Sequence, residues 1–141
     1  MSDLPKLRQE HDDLIEIAGR LSAAIAAPCP PAADGLLRLR QEFSFCLIGH
    51  LKGEDWCLYP RLCSSPDPYV AQIAREFALE MGGLAEAYVD YVEKWPANAI
   101  DADWRGYCDD TRAIIRAITI RITREERELY PLMERVLKRA A

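Results

Sequence analysis

The sequence predicts an all-α fold, an antiparallel up-down-up-down four-helix bundle forming a single domain over residues 1–141. Three observations predict it. Apolar residues recur at intervals of three and four in four successive segments, as on one face of a helix. Proline-bearing breaks separate these segments and leave short connections, which favour antiparallel neighbours. No stretch carries a competing strand pattern.

The first segment runs from about Asp3 to Ala27. Its inward stripe is Leu4, Leu7, His11, Leu14, Ala18, Leu21 and Ile25, so one histidine sits among core residues. Ala27-Pro28-Cys29-Pro30-Pro31 ends the helix, because consecutive prolines cannot continue it. The second runs from about Asp34 to Leu62, with Asp34 as the expected N-cap. Its stripe is Leu36, Leu39, Phe43, Cys46, His50, Glu54 and Cys57 or Leu58. Ser64-Ser65-Pro66-Asp67-Pro68 reads as a turn and a new start. The third runs from about Pro68 to Trp95, with Ile73, Phe77, Glu80 or Met81, Leu84, Tyr88, Tyr91 and Trp95 inward, and Pro96 stops it. The fourth runs from about Asp101 to Arg139, with Trp104, Cys108, Thr111, Ile115, Ile118, Ile122, Glu125, Leu129 and Met133 inward.

Bulk properties narrow the class of function. A chain of 141 residues can bury a real core. No apolar run approaches the length of a membrane span, so no membrane partner is expected. The start, Met1-Ser2-Asp3-Leu4-Pro5-Lys6, lacks the pattern of a signal peptide. Five cysteines (Cys29, Cys46, Cys57, Cys63 and Cys108) are odd in number and show no zinc-type spacing. They read as reduced thiols, and a cytoplasmic location is expected. Cys46, one turn before His50, is assigned to packing. The net charge of −5 argues against nucleic acid as a partner.

The chain nearly repeats itself. His50, Glu54 and Leu58-Tyr59-Pro60 on the second segment match Arg121, Glu125 and Leu129-Tyr130-Pro131 on the fourth. Residues four apart share a helix face, so each copy points two polar side chains inward. The second and fourth helices run the same way and lie diagonally, so the copies meet at one depth. His11 approaches that level from the first helix, and Glu80 or Met81 from the third. The bundle therefore buries His11, His50, Glu54, Glu125 and Arg121 together, with Glu80 as a further candidate. A buried carboxylate requires a partner. Either a divalent metal neutralises the pair, with the imidazoles as further ligands, or Arg121 does so by charge-assisted hydrogen bonds. Tyr59 and Tyr130 are expected to pack the end of the bundle with Pro60 and Pro131.

These motifs resemble the hemerythrin-like, or HHE cation-binding, family over essentially the whole chain. The resemblance rests on Glu10-His11-Asp12-Asp13-Leu14, on His50-Leu51-Lys52-Gly53-Glu54-Asp55 with Leu58-Tyr59-Pro60, and on Glu125-Glu126 with Leu129-Tyr130-Pro131. It implies a four-helix bundle in which histidines of the first and second helices serve one iron. Histidines of the third and fourth serve another, and two carboxylates bridge the irons. Carried over position by position, it keeps His11, His50, Glu54 and Glu125. The third-helix histidine is missing from Leu79-Glu80-Met81-Gly82-Gly83-Leu84, and Arg121 stands in place of the fourth-helix one. The chain has two histidines in all.

The resemblance thus implies a degenerate site holding one divalent ion, iron or zinc, through His11, His50, Glu54 and Glu125, with Glu80 as a candidate additional ligand. On electrostatic grounds the fixed charge of Arg121 replaces the second metal. The expected role is metal, redox or diatomic-gas sensing or handling, with O₂ or NO as candidate ligands. Oxygen transport is not expected, because binding O₂ as peroxide draws electrons from two irons. A third reading is a residual peroxidase-like activity at a single iron with an open position; no nucleophile–base pair or cofactor fingerprint points to other catalysis. The alternative is a metal-free bundle in which Arg121, Glu54 and Glu125 form a buried ionic lock and the surface serves as a protein-interaction module.

Overall fold

Leu4, Leu7, His11, Leu14, Ala18, Leu21 and Ile25 all lie buried along one helix, α1 (Leu4–Ile25). The structure, a computed structural model, describes residues 4–140, with the side chains at 33, 34, 137, 139 and 140 left aside. The expected start at Asp3 lies outside the described residues. α2 (Ala33–Gly53) begins with Ala32 at the N-cap position, where no side chain caps it. The side chain of Asp34, the expected cap, is outside the described set.

The second and fourth expected helices share a feature that a 3.6-residue period does not anticipate. α2 continues through a π-helical turn, Glu54–Leu58, into α3 (Tyr59–Cys63). α7 (Trp104–Arg124) continues through a second π turn, Glu125–Leu129, into α8 (Tyr130–Ala140). Pro60 and Pro131 account for both. A proline ring collides with the carbonyl four residues before it, and widening the turn relieves the clash. The N–H groups of Tyr59 and Tyr130 accordingly donate five residues back, to the carbonyls of Glu54 and Glu125. Each π turn adds one residue to the turn, so Leu58 is buried and Cys57 is exposed.

The third expected helix is broken in two, α4 (Pro68–Met81) and α5 (Leu84–Lys94). Gly82-Gly83 makes the break. A Cβ on Gly82 would collide with the carbonyl oxygen of Ala78, so only glycine fits the close turn there. The side chain of Asp67 caps α4 by accepting the Tyr69 N–H at 3.0 Å. Trp95 and Pro96 end α5, and a short helix α6 (Ala97–Ala102) follows. The fourth long helix was expected from about Asp101. It starts at Trp104, because Asp103 caps it by accepting the Gly106 N–H at 2.9 Å.

α1 packs against α2 and α7, α5 packs against α7, and α3 packs against α4. The result is an all-α helical bundle, with no strand among the described residues. The core falls into two apolar clusters. One holds Leu14, Phe43, Leu47, Tyr88, Trp95, Tyr107 and Ile118. The other holds Leu4, Leu7, Leu58, Phe77, Leu129 and Met133. Between them along three of the long helices lies a buried polar level: His11 on α1, His50 and Glu54 on the second, Arg121 and Glu125 on the fourth. Among the described residues no helix is long and apolar enough to cross a membrane.

Candidate metal centre

The polar level gathers four metal-ligating side chains. One ligand atom from each of His11, His50, Glu54 and Glu125 lies within 4.8 Å of the other three, and all four residues are buried. The helical spacing of four puts His50 Nε2 2.9 Å from Glu54 Oε1. His11 Nε2 lies 3.0 Å from Glu125 Oε1, and His50 Nε2 lies 3.9 Å from the same oxygen. The two imidazole rings meet edge to face, with centroids 4.6 Å apart.

The outer nitrogens face acids on neighbouring elements. His11 Nδ1 is 2.8 Å from Glu126 Oε1, and His50 Nδ1 is 2.7 Å from Glu10 Oε1. An ionised carboxylate only accepts, so each Nδ1 carries a hydrogen and donates it outward. In a neutral ring the Nε2 lone pair then faces the cluster. His50 Nε2 is buried and faces the cluster, 2.9 Å from Glu54 Oε1.

Arg121 faces inward and is 2% exposed, as the sequence anticipated. Its Nε donates to Glu125 Oε2 at 3.1 Å. Nη2 donates to Glu54 Oε1 at 3.2 Å and to Asp55 Oδ1 at 2.8 Å. Nη1 donates to the backbone carbonyl of Met81 at 3.0 Å. That carbonyl is free because α4 ends there, so the break at Gly82-Gly83 supplies one of the guanidinium's acceptors. The face of Tyr59 covers the group at 5.2 Å.

The two tyrosines are part of the cluster and do not merely pack the bundle end. The hydroxyl of Tyr59 donates to Glu125, and that of Tyr130 donates to Glu54 Oε2 at 2.7 Å while lying 3.0 Å from His11 Nε2. Each copy of the repeat thus lends its hydroxyl to the carboxylate of the other. The π turn explains why: five residues separate each glutamate from its tyrosine, and the widened turn brings both onto one face.

Glu80 is not part of the site. It is exposed and pairs with Arg124 on the surface. Adjacent helix positions differ by about 100°, and the apolar Met81, half-buried, packs against the cluster that holds Leu58, Phe77 and Leu129. Sequence reading also left out Glu10, Glu126, Asp55 and the two tyrosines. The available signals were the acid directly before His11, the acids directly after Glu54 and Glu125, and the tyrosine at the same offset in each copy.

Burial shapes the charge states. It opposes a positive charge on His50, yet the carboxylates of Glu125, Glu54 and Glu10 outweigh it and push the imidazole pKa up to about 10. Burial and the nearby charge of Glu125 raise the Glu54 carboxyl. Burial acts the same way on Glu125, but His11, His50 and Arg121 overcome it and hold that carboxyl below its usual range. Burial and the two carboxylates raise both tyrosine hydroxyls, so both stay protonated as donors. Five carboxylates (Glu10, Glu54, Asp55, Glu125 and Glu126) meet two guanidinium groups, Arg121 and the half-exposed Arg8. The cluster has a surplus of negative charge, which protons on imidazole or on the Glu54 carboxyl, or a bound cation, can balance.

A family model described as the hemerythrin HHE cation binding domain matches residues 2–133. Comparison with curated proteins finds no match, and neither does comparison with solved structures.

Proposed function

Because the chain belongs to the hemerythrin HHE cation-binding domain family, we propose that it holds one divalent metal ion, iron or zinc, on His11, His50, Glu54 and Glu125. On this reading it works in metal, redox or diatomic-gas sensing or handling, and not in O₂ transport. The observation that carries the proposal is the convergence of the four side chains: one ligand atom from each of His11, His50, Glu54 and Glu125 lies within 4.8 Å of the others, all four residues are buried, and the carboxylates around them are in surplus. Burying two carboxylates together is costly unless positive charge meets them, and a cation held among the four ligands would supply it. Two imidazoles and two carboxylates suit borderline divalent ions.

When bound, such an ion supplies a Lewis acid and, if it is iron, a one-electron couple. The chain's own residues do the rest. Tyr59 and Tyr130 each hold one oxygen of the opposite copy's carboxylate. Arg121 donates to both carboxylates, and, standing where the family has its fourth-helix histidine, its permanent charge would serve in place of a second cation. Asp55 and the Met81 carbonyl fix it in place.

Metal analysis of protein purified without a polyhistidine tag tests the reading. After iron or zinc loading it is expected to retain about one ion per chain. Two tightly held ions with a bridging-oxo absorption band would overturn the role given to Arg121. A second reading is the metal-free bundle with an Arg121–Glu54–Glu125 lock, acting as an interaction module. The guanidinium already touches both carboxylates, and Phe45 at 84% and Trp56 at 72% exposed offer apolar surface. Failure to retain any ion after loading would favour that reading.

A further inference from the structure

We propose that Glu10 and Glu126 are positioning residues that lock the two histidines as Nδ1–H tautomers and so present both Nε2 lone pairs to one ion. Of the two, Glu10 is the stronger. The proposal rests on the metal reading above.

The geometry is reciprocal across helices. His50 belongs to α2 and its acid, Glu10, to α1, at 2.7 Å. His11 belongs to α1 and its acid, Glu126, to the second π turn, at 2.8 Å. Neither ring is therefore oriented by its own helix alone. A ligating imidazole that donates its second N–H to a carboxylate is held in one tautomer and made a better electron donor. Without the acid, the hydrogen can move to Nε2, and the ring can turn.

The two acids differ in how much of their charge is already spoken for. Glu126 lies 3.4 Å from the guanidinium of Arg8, which also bonds Glu134 at 2.6 Å and covers the ring of Tyr130. Glu10 forms no ion pair with a lysine or arginine among the described residues. It is 28% exposed and lines a cavity of about 790 Å³ between α1 and α2, together with His50, Cys46 and Gly49. Its full charge thus acts on His50, whereas that of Glu126 on His11 is offset. Being half-exposed, Glu10 is also a position that the core tolerates changing.

Zn²⁺ affinity of the full chain, measured by competition with a chromophoric chelator, tests this. Glu10→Ala is expected to weaken binding by about 10–100-fold, and Glu126→Ala by less. Glu10→Gln is expected to recover part of the loss, because its amide oxygen still accepts the Nδ1 hydrogen but carries no charge. Long-range ¹H–¹⁵N spectra of the zinc-loaded wild type should show Nδ1–H on both rings. Glu10→Ala should alter the His50 pattern and leave that of His11 unchanged. Should Glu10→Ala fail to fold, Glu10→Gln decides by the same two readouts. Wild-type affinity in Glu10→Ala and Glu10→Gln, beside a His50→Ala variant that binds nothing, would overturn the positioning role and leave the metal reading standing. A larger loss in Glu126→Ala than in Glu10→Ala would overturn the ranking. A wild type that binds no Zn²⁺ would remove the metal reading and this proposal together.

Discussion

Arg121 serves four acceptors with one buried guanidinium: Glu54, Glu125, Asp55 and the Met81 carbonyl. Removing it leaves like charges facing each other without water. Arg121→Ala in metal-free protein is expected to cost about 3–5 kcal/mol in denaturant unfolding, as breaking a buried ion pair does. A loss within experimental error would mean that the guanidinium carries none of the balance. Arg121→His restores a nitrogen donor and should be milder, because an imidazolium can still meet the carboxylates. Tyr130→Phe deletes the hydroxyl that donates to Glu54 and approaches His11. It should cost about 1–3 kcal/mol, the penalty of leaving a buried acceptor unmet. At this scale the inner cluster was legible in the sequence. His11, His50, Glu54 and Glu125 stand on apolar stripes at helical spacing, Arg121 lies one turn before Glu125 in the repeat, and a buried charge calls for a partner. The surrounding acids were not legible. Glu10, Glu126 and Asp55 are only partly buried and sit beside a stripe, where a charge needs no explanation. Only the rings they touch on another helix reveal their part.

Periodicity located the helices and missed the departures from 3.6 residues per turn. Counting by three and four from Glu54 arrives at Leu58 and leaves Tyr59 on the shoulder, so the tyrosines read as packing residues. The proline after each tyrosine was the available signal, since its ring must be accommodated somewhere in the preceding turn. Gly82-Gly83 was likewise visible inside the third segment, but a glycine pair within an amphipathic stretch does not by itself say that the helix breaks. The π turns invite a direct test. Deleting the exposed Glu128 together with Pro131→Ala removes both the extra residue and the ring that demands it. The helix should then run on as ordinary α structure with Glu125 and Tyr130 still on one face. This variant is expected to retain wild-type far-UV circular dichroism and to melt close to wild type. Deleting Glu128 alone keeps the proline clash and should melt lower. Equal melting for the two deletions would show that proline is not the cause.

The bundle as a whole carries its surplus of negative charge at the level where its two apolar clusters meet. A cation that binds the folded chain and not the unfolded one stabilises it by mass action, by about 2.7 kcal/mol at a hundredfold excess over the dissociation constant. Chelation of metal-loaded protein should therefore lower its melting temperature, and His50→Ala should remove that sensitivity. Unchanged melting after chelation, in folded protein shown to be metal-free, would favour the interaction-module reading. The hydroxyls exchanged between the two copies of the repeat also bear on how the chain reaches this state. Tyr59 and Glu125 are 66 positions apart, Tyr130 and Glu54 76, and His11 and Tyr130 119. Loops of that length close late, after helices and local pairs have formed. The cluster should then be absent from the rate-limiting transition state of folding, and Tyr59→Phe and Tyr130→Phe should accelerate unfolding while leaving the refolding rate nearly untouched. Stopped-flow refolding slowed in proportion to the lost stability would show instead that the cluster organises the nucleus. If the cluster does form last, a metal meets an already assembled bundle, and capture follows folding instead of driving it.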